Sequence, residues 1–222
     1  MARFAIFDLF HTLVSGSDPD RERVVAEMAV MVGVEPAALV AAYNDTWRQR
    51  QTEWDAEQTV RILAERLGAA PSPEQVIQAA DARRAFARRV LRSADAATLG
   101  VLDALRAAGY RLGLVSNATS DTAQAWPGTE LAARFDVAVF SCEVGWTKPD
   151  ARIYLAATAG LGARPAECYY TGDGADSELA GARALGMTTF RTVALNDSDP
   201  SWSGTTITSL AELLRLLPGT DS

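Results

Sequence analysis

The sequence predicts an α/β protein, a doubly wound Rossmann-like parallel sheet with an inserted all-helical segment. Three observations predict it. Short apolar runs of strand length recur, each followed by a segment with helical spacing, which is the rhythm of a parallel sheet covered on both faces. The first run, Phe4 to Phe7, is apolar at every position, as a strand buried on both faces requires. Residues 21–92 carry helical spacing only and interrupt the rhythm as a small bundle would. The expected division is a core of residues 1–13 and 93–222 around an insert of residues 14–92.

In chain order, Phe4–Phe7 is too short for a helix and ends at the carboxylate of Asp8. Ser15–Asp20 is polar, with Gly and Pro, and reads as a loop. Four helices follow. Arg21–Val32 has apolar residues at helical spacing, and Pro36–Arg50 starts with a helix-initiating Pro. Asp55–Leu67 repeats Val60, Ile62, Leu63 and Leu67, and Pro73–Leu91 is long, with an Arg-rich face of Arg83, Arg84, Arg88 and Arg89. Thr98–Ala108 is amphipathic and stops at Gly109. Then come a strand at Arg111–Val115, a helix over Asp121–Arg134 interrupted at Pro127-Gly128, and a strand at Val137–Phe140. Helix Ile153–Ala159, strand Cys168–Thr171, helix Glu178–Leu185, strand Thr188–Thr192 and helix Leu210–Leu217 complete the series.

Composition narrows the function. With 222 residues and 48% hydrophobic residues, the chain can bury a sizeable core. A net charge of −7 without a basic run argues against nucleic acid or an anionic membrane as partner. No apolar stretch reaches membrane-spanning length, and no signal-peptide pattern stands at the start. Cys142 and Cys168 form no disulfide framework and read as buried free thiols of a cytoplasmic protein. Lys148 is the single lysine among many arginines, and His11 the single histidine.

Four polar clusters fall at strand ends or helix starts: Asp8, Ser116-Asn117, Lys148, and Asp173 with Asp176 and Glu178. Each alone has an ordinary explanation, as a helix cap, a solvated lysine or a turn. In a parallel sheet, however, strand ends on one edge converge, and ligands sit there. A carboxylate such as Asp8 can act as a nucleophile and form an acyl-phosphate. A phosphate dianion repels it, so a hard cation is needed, and Asp8 and Asp173 supply the oxygen ligands Mg²⁺ prefers. Glu178 can hold a metal-bound water or the lysine. Ser116 Oγ and nearby backbone N–H groups suit phosphate oxygens, and Lys148 adds a compact positive charge.

The ordered set Asp8-Leu9-Phe10-His11-Thr12-Leu13, Leu114-Val115-Ser116-Asn117, Gly145-Trp146-Thr147-Lys148-Pro149-Asp150 and Gly172-Asp173…Glu178…Gly181-Ala182-Arg183…Gly186-Met187 resembles the haloacid dehalogenase superfamily of hydrolases. The insert resembles that family's helical cap. The resemblance implies Asp8 as nucleophile, Ser116 and Lys148 as phosphoryl-binding groups, and Mg²⁺ held by Asp8, Asp173 and the Phe10 carbonyl, with Glu178 beside them. Asn117, His11 and Trp146 join Phe10 and Ser116 as expected substrate-binding residues. The sequence departs from the family at Phe10, where phosphatases place a second Asp as general acid and base and dehalogenases place a Tyr. His11 stands where Gly is usual; its titration range suits a general acid or base, while the rival reading, a histidine packed facing away from the substrate, follows if the segment is extended. The aromatic-basic group Trp47, Arg48, Arg50 and Trp54 could close over an anionic substrate. The expectation is a Mg²⁺-dependent hydrolase of a small anionic, phosphorylated metabolite, acting as a monomer or homodimer. The alternatives are a 2-haloacid dehalogenase using Asp8 through an ester, or a low-turnover binding protein on the same fold.

Overall fold

The computed structural model describes residues 3–16 and 18–220. The chain begins with β1 (Arg3–Phe7) and then runs through five helices, α1 (Asp18–Val32), α2 (Pro36–Asp45), α3 (Trp47–Thr52), α4 (Ala56–Arg66) and α5 (Pro73–Leu91). Strand and helix then alternate: α6 (Ala96–Ala107), β2 (Tyr110–Ser116), α7 (Ser120–Ala125), β3 (Val137–Phe140), α8 (Ser141–Val144), α9 (Ala151–Leu161), β4 (Cys168–Gly172), α10 (Glu178–Ala184), β5 (Thr188–Thr192), β6 (Thr205–Ile207) and α11 (Leu213–Leu216). The six strands form one all-parallel sheet in the order β3-β2-β1-β4-β5-β6.

The central place of β1 follows from its residues. Ala5 and Phe7 pack into the core on one face of the sheet, Phe4 and Ile6 into the core on the other. Alternate side chains of a strand leave on opposite faces, so only a strand covered on both sides can be apolar throughout. Burying Ile6 and Phe7 completely contributes about 1.5–3 kcal/mol each. The first face shares a continuous apolar cluster with α1, α2, α4 and α5, through Val24, Met28, Leu39, Leu63 and Leu91.

The chain builds β2 and β3 on one side of β1, then crosses to build β4, β5 and β6 on the other. This reversal beside β1 is the topological switch point, where crevices form beyond the carboxyl ends of strands. Register fixes what meets there. Phe7 lies opposite Leu114 on β2 and Thr171 on β4, and Asp8 N–H donates to the Thr171 carbonyl at 2.9 Å. Asp8, Ser116 and Asp173 therefore leave adjacent strands at nearly the same height.

Several expected elements differ. The helix expected over Pro36–Arg50 breaks at Thr46, whose Oγ1 donates back to the Ala42 carbonyl at 2.8 Å and competes with the helix ladder. The helix expected over Asp121–Arg134 ends at Ala125, ahead of Pro127-Gly128, and resumes only as one 3₁₀ turn at Ala132–Arg134. β6, with the sequence Thr-Thr-Ile, and the one-turn α8 carry no periodicity to announce them. The loop expected over Ser15–Asp20 is already helical from Asp18, and Ser17 lies outside the described residues. Both thiols are free, but Cys142 is only half-buried; burial pushes it up to about 12 and Cys168 up to about 11. No helix among the described residues is long and apolar enough to cross a membrane.

Candidate active site

At the carboxyl edge of the sheet, Lys148 reaches from the loop before α9 to the end of β1. Its Nζ lies 2.5 Å from Asp8 Oδ1 and 2.5 Å from Glu178 Oε2. All three side chains are buried. Asp8 Oδ2 also accepts from Thr12 Oγ1 at 3.1 Å. Glu178 is more heavily committed: Oε2 accepts from Tyr170 OH at 2.7 Å and Oε1 from the Gly174 N–H at 3.1 Å. Of the two roles expected of Glu178, the geometry provides the one that holds the lysine. Gly172 makes this reach possible, because a Cβ there would overlap the Glu178 carboxylate.

The lysine is positioned from behind. Asn117 Oδ1 accepts from the Lys148 N–H at 2.8 Å, and Asn117 Nδ2 donates to Asp176 Oδ2 at 2.8 Å, so one amide ties the loops after β2, before α9 and after β4. Asp176 and Ser177 adopt left-handed backbone conformations, at φ 53° and 57°. Such conformations cost about 1–3 kcal/mol each and concentrate where a loop must present particular groups. Ser116 is fully buried and its Oγ has no hydrogen-bond partner among the described residues. That is the state expected of a hydroxyl whose acceptor belongs to a ligand.

Electrostatics singles out Asp8. Carboxylate oxygens of Asp8, Asp173 and Glu178 lie within 4.8 Å of one another, and Lys148 is the only ammonium among them. Burial, Glu178 and Asp173 together outweigh Lys148 and push the Asp8 carboxyl up to about 7. The same pairing raises Lys148, which stays protonated. The excess of negative charge on hard oxygens fits a small divalent cation. Asp8 and Asp173 would hold it together with the Phe10 carbonyl, which accepts no hydrogen bond among the described residues. Asp173 is braced by the Ala175 N–H at 3.2 Å and by the Ser198 hydroxyl.

Beside this centre lies a cavity of about 270 Å³ between the sheet edge and α3 and α5. Its wall is one to three residues removed from the buried groups: Phe10 and His11 rather than Asp8, Asn117 rather than Ser116, Asp176 rather than Asp173. Trp47, Arg50 and Gln51 line it from α3, and Gln51 Nε2 donates to the Asn117 carbonyl at 3.3 Å. Two expectations need correcting. His11 does not face away: the segment is turned, not extended, with His11 at φ 59°, and both His11 and Phe10 line the cavity. Trp146 does not line it: the ring is 41% exposed and carries the Arg152 guanidinium 3.1 Å above its centre. The aromatic-basic group also divides, with Arg48 stacked on Trp47 and Trp54 under Arg66.

Arg83 belongs to the Arg-rich face expected on Pro73–Leu91. In the structure it is buried, lines the cavity, and donates from Nη2 to Asp121 Oδ2 at 3.0 Å. Arg84, Arg88 and Arg89 stay nearer solvent. The spacing of Arg83 with Val76, Ala79, Ala80, Phe86 and Ala87, all buried on α5, was the available signal. Thr12 and Tyr170, which touch Asp8 and Glu178, were also passed over.

A family model described as haloacid dehalogenase-like hydrolase matches residues 3–186. The chain is 32% identical over 136 residues to a glyceraldehyde 3-phosphate phosphatase of Methanopyrus kandleri, a match covering 59% of this chain and 56% of that protein. It thus spans little more than half the length of that curated relative. An (S)-2-haloacid dehalogenase of a Pseudomonas species is 27% identical over 206 residues, 87% of this chain and 86% of that one. Among solved structures, a HAD phosphatase from Thermococcus onnurineus superposes with a TM-score of 0.70 at 20% identity, covering 98% of both chains.

Proposed function

The chain belongs to the haloacid dehalogenase-like hydrolases, and from that premise we propose that it hydrolyses a small phosphate monoester with Asp8 as nucleophile and Mg²⁺ as cofactor. The observation that carries this reading is the crowding of Asp8, Asp173 and Glu178, with one lysine bridging Asp8 and Glu178. Displacing halide from carbon needs one ionised carboxylate, and hydrolysing the resulting ester at most one more as base for the water; a third adds charge that hinders ionisation unless a cation offsets it. Transfer of a phosphoryl dianion needs charge neutralisation above all.

In the proposed reaction an Asp8 oxygen attacks phosphorus, and the ester P–O bond breaks with its electron pair leaving on the alcohol oxygen, which takes its proton from solvent water. Lys148 and the Ser116 hydroxyl hold the non-bridging oxygens of the transferring group. Water then attacks the aspartyl-phosphate, releasing inorganic phosphate and restoring Asp8. When bound, Mg²⁺ neutralises charge between the two anions and keeps Asp8 ionised. Phe10 offers no proton to the leaving oxygen, which removes a factor of about 10²–10⁴ from the rate and favours good leaving groups. Residues 14–92 act as the cap, closing the cavity against bulk water.

Phe10, an aromatic residue where phosphatases carry an Asp, and the likeness to the Pseudomonas enzyme favour a second reading, ester-forming dehalogenation at the same Asp8. A panel of phosphate monoesters and 2-haloacids, assayed with Mg²⁺ and with a chelator, separates the two. The expected result is phosphate release that is lost on chelation and restored by Mg²⁺. Halide release indifferent to chelator would install the second reading instead.

A further inference from the structure

The cavity beside Asp8 is charged oppositely to the buried centre. Arg50 and Arg83 line it, and Asp176, bonded to Asn117 at one edge, is its only carboxylate among the described residues. The two guanidiniums lie against one ring: Arg50 is 3.5 Å and Arg83 5.6 Å from the centre of Tyr43. Like charges so close in a buried place repel unless anions offset them, and one buried carboxylate, Asp121 on Arg83, stands against these two cations. Arg83 is 6% exposed, and although Nη2 is held by Asp121, its Nε and Nη1 have no hydrogen-bond partner among the described residues. The rings of Tyr43 and Phe86, centred 5.6 and 5.0 Å from the guanidinium carbon, cover this group without giving it an oxygen acceptor, which a ligand oxyanion would supply. Asp121 fixes Arg83 in place from α7, so the fork is held ready. Phe86, Ala87 and Val90 give the remaining wall an apolar surface for a short carbon skeleton.

Resting on the phosphatase reading above, we propose that Arg83, with Arg50, receives a second oxyanion of the substrate, which makes the substrate class small phosphate monoesters bearing a second anionic group. The size of the cavity, at the low end of ligand pockets, limits the skeleton to a few carbons. A carboxylate and a second phosphate present the same chemistry to a guanidinium fork, and the test distinguishes them.

The test compares kcat/KM for three esters of similar length in the presence of Mg²⁺: phosphoglycolate, glycol bisphosphate, and ethyl phosphate, which has no second anionic group. The expected result is a preference of roughly tenfold or more for a doubly anionic ester over ethyl phosphate, with the better of the two naming the group. In Arg83→Lys, which keeps the charge and loses the fork, that ratio should fall about tenfold, mainly through KM. Turnover without preference, or a preference intact in Arg83→Lys, overturns the proposal and leaves the phosphatase reading standing. If Arg83→Lys does not fold, the wild-type preference alone decides, since it needs no variant. If no ester is turned over, the phosphatase reading fails, and titration calorimetry with phosphonoacetate against ethylphosphonate decides the anion site. Tighter binding of phosphonoacetate supports it, and equal binding overturns it.

Discussion

Asp8 sits at the meeting point of a backbone constraint and a charge constraint. The ladder of β1 with β4 fixes its main chain through Thr171, while Lys148 and Thr12 hold its two oxygens. Asp8→Asn keeps that shape and removes the proposed nucleophile. Turnover should fall by several orders of magnitude with the fold retained, checked by kinetics on contaminant-free protein alongside circular dichroism. Near-normal activity would end the mechanism. Lys148 is constrained differently, as a compact ammonium 2.5 Å from each of two carboxylates in a buried pocket. A planar guanidinium has no room to point at both. Lys148→Arg should therefore lower kcat/KM by about tenfold or more, equivalent to about 1.4 kcal/mol, and unchanged kinetics would reduce Lys148 to a structural counter-ion. The meeting of Asp8, Lys148, Asp173 and Glu178 could be read from the sequence because each stands next to a strand end or a Gly-rich turn, where convergence follows from topology. Arg83 could not. Its partner Asp121 is distant in sequence, and only tertiary packing decides which arginines of a long helix turn inward.

At the level of elements, the turn joining β4 to α10 carries much of the site. Gly172, Asp173, Gly174, Asp176 and Glu178 lie within seven residues, and each meets a separate demand: close approach, an oxygen ligand, a positive φ, a tie to Asn117, and a counter-charge. Gly172→Ala puts a methyl group where the Glu178 carboxylate lies. It should destabilise by about 1–3 kcal/mol, as overpacked cores do, and lower kcat/KM by displacing Glu178 from Lys148. A thermal melt with parallel kinetics checks both, and an unchanged melt with full activity would contradict the packing described. The core strands were legible because β1, β2 and β4 are apolar on both faces or nearly so. β6 was not, since Thr205 and Thr206 are exposed at the sheet edge and only Ile207 is buried. The break at Thr46 was also hidden, since a back-bonded hydroxyl looks the same in sequence as an ordinary helical threonine.

Over the whole molecule, the electrostatic excess at the switch point would couple the proposed metal binding to folding. Asp8 and Asp173 leave neighbouring central strands of a sheet that packs on both faces, so their mutual repulsion is built into the native state and relieved in the unfolded chain. A cation that binds only the folded form stabilises it by mass action, by about 2.7 kcal/mol at a hundredfold excess over Kd. For a domain of this size that corresponds to a rise in Tm of about 5–10 °C. Asp173→Asn should separate the two effects. Removing one negative charge eases the repulsion, and the amide can still accept from Ser198 or the Ala175 N–H, so the metal-free variant should melt no lower than the metal-free wild type by more than about 1 kcal/mol. Its response to Mg²⁺ should vanish, because a ligand is gone. Scanning calorimetry of both proteins with Mg²⁺ and with chelator measures all four states. A wild type whose melting ignores Mg²⁺, or a variant that responds as fully as the wild type, would remove the cation from this site.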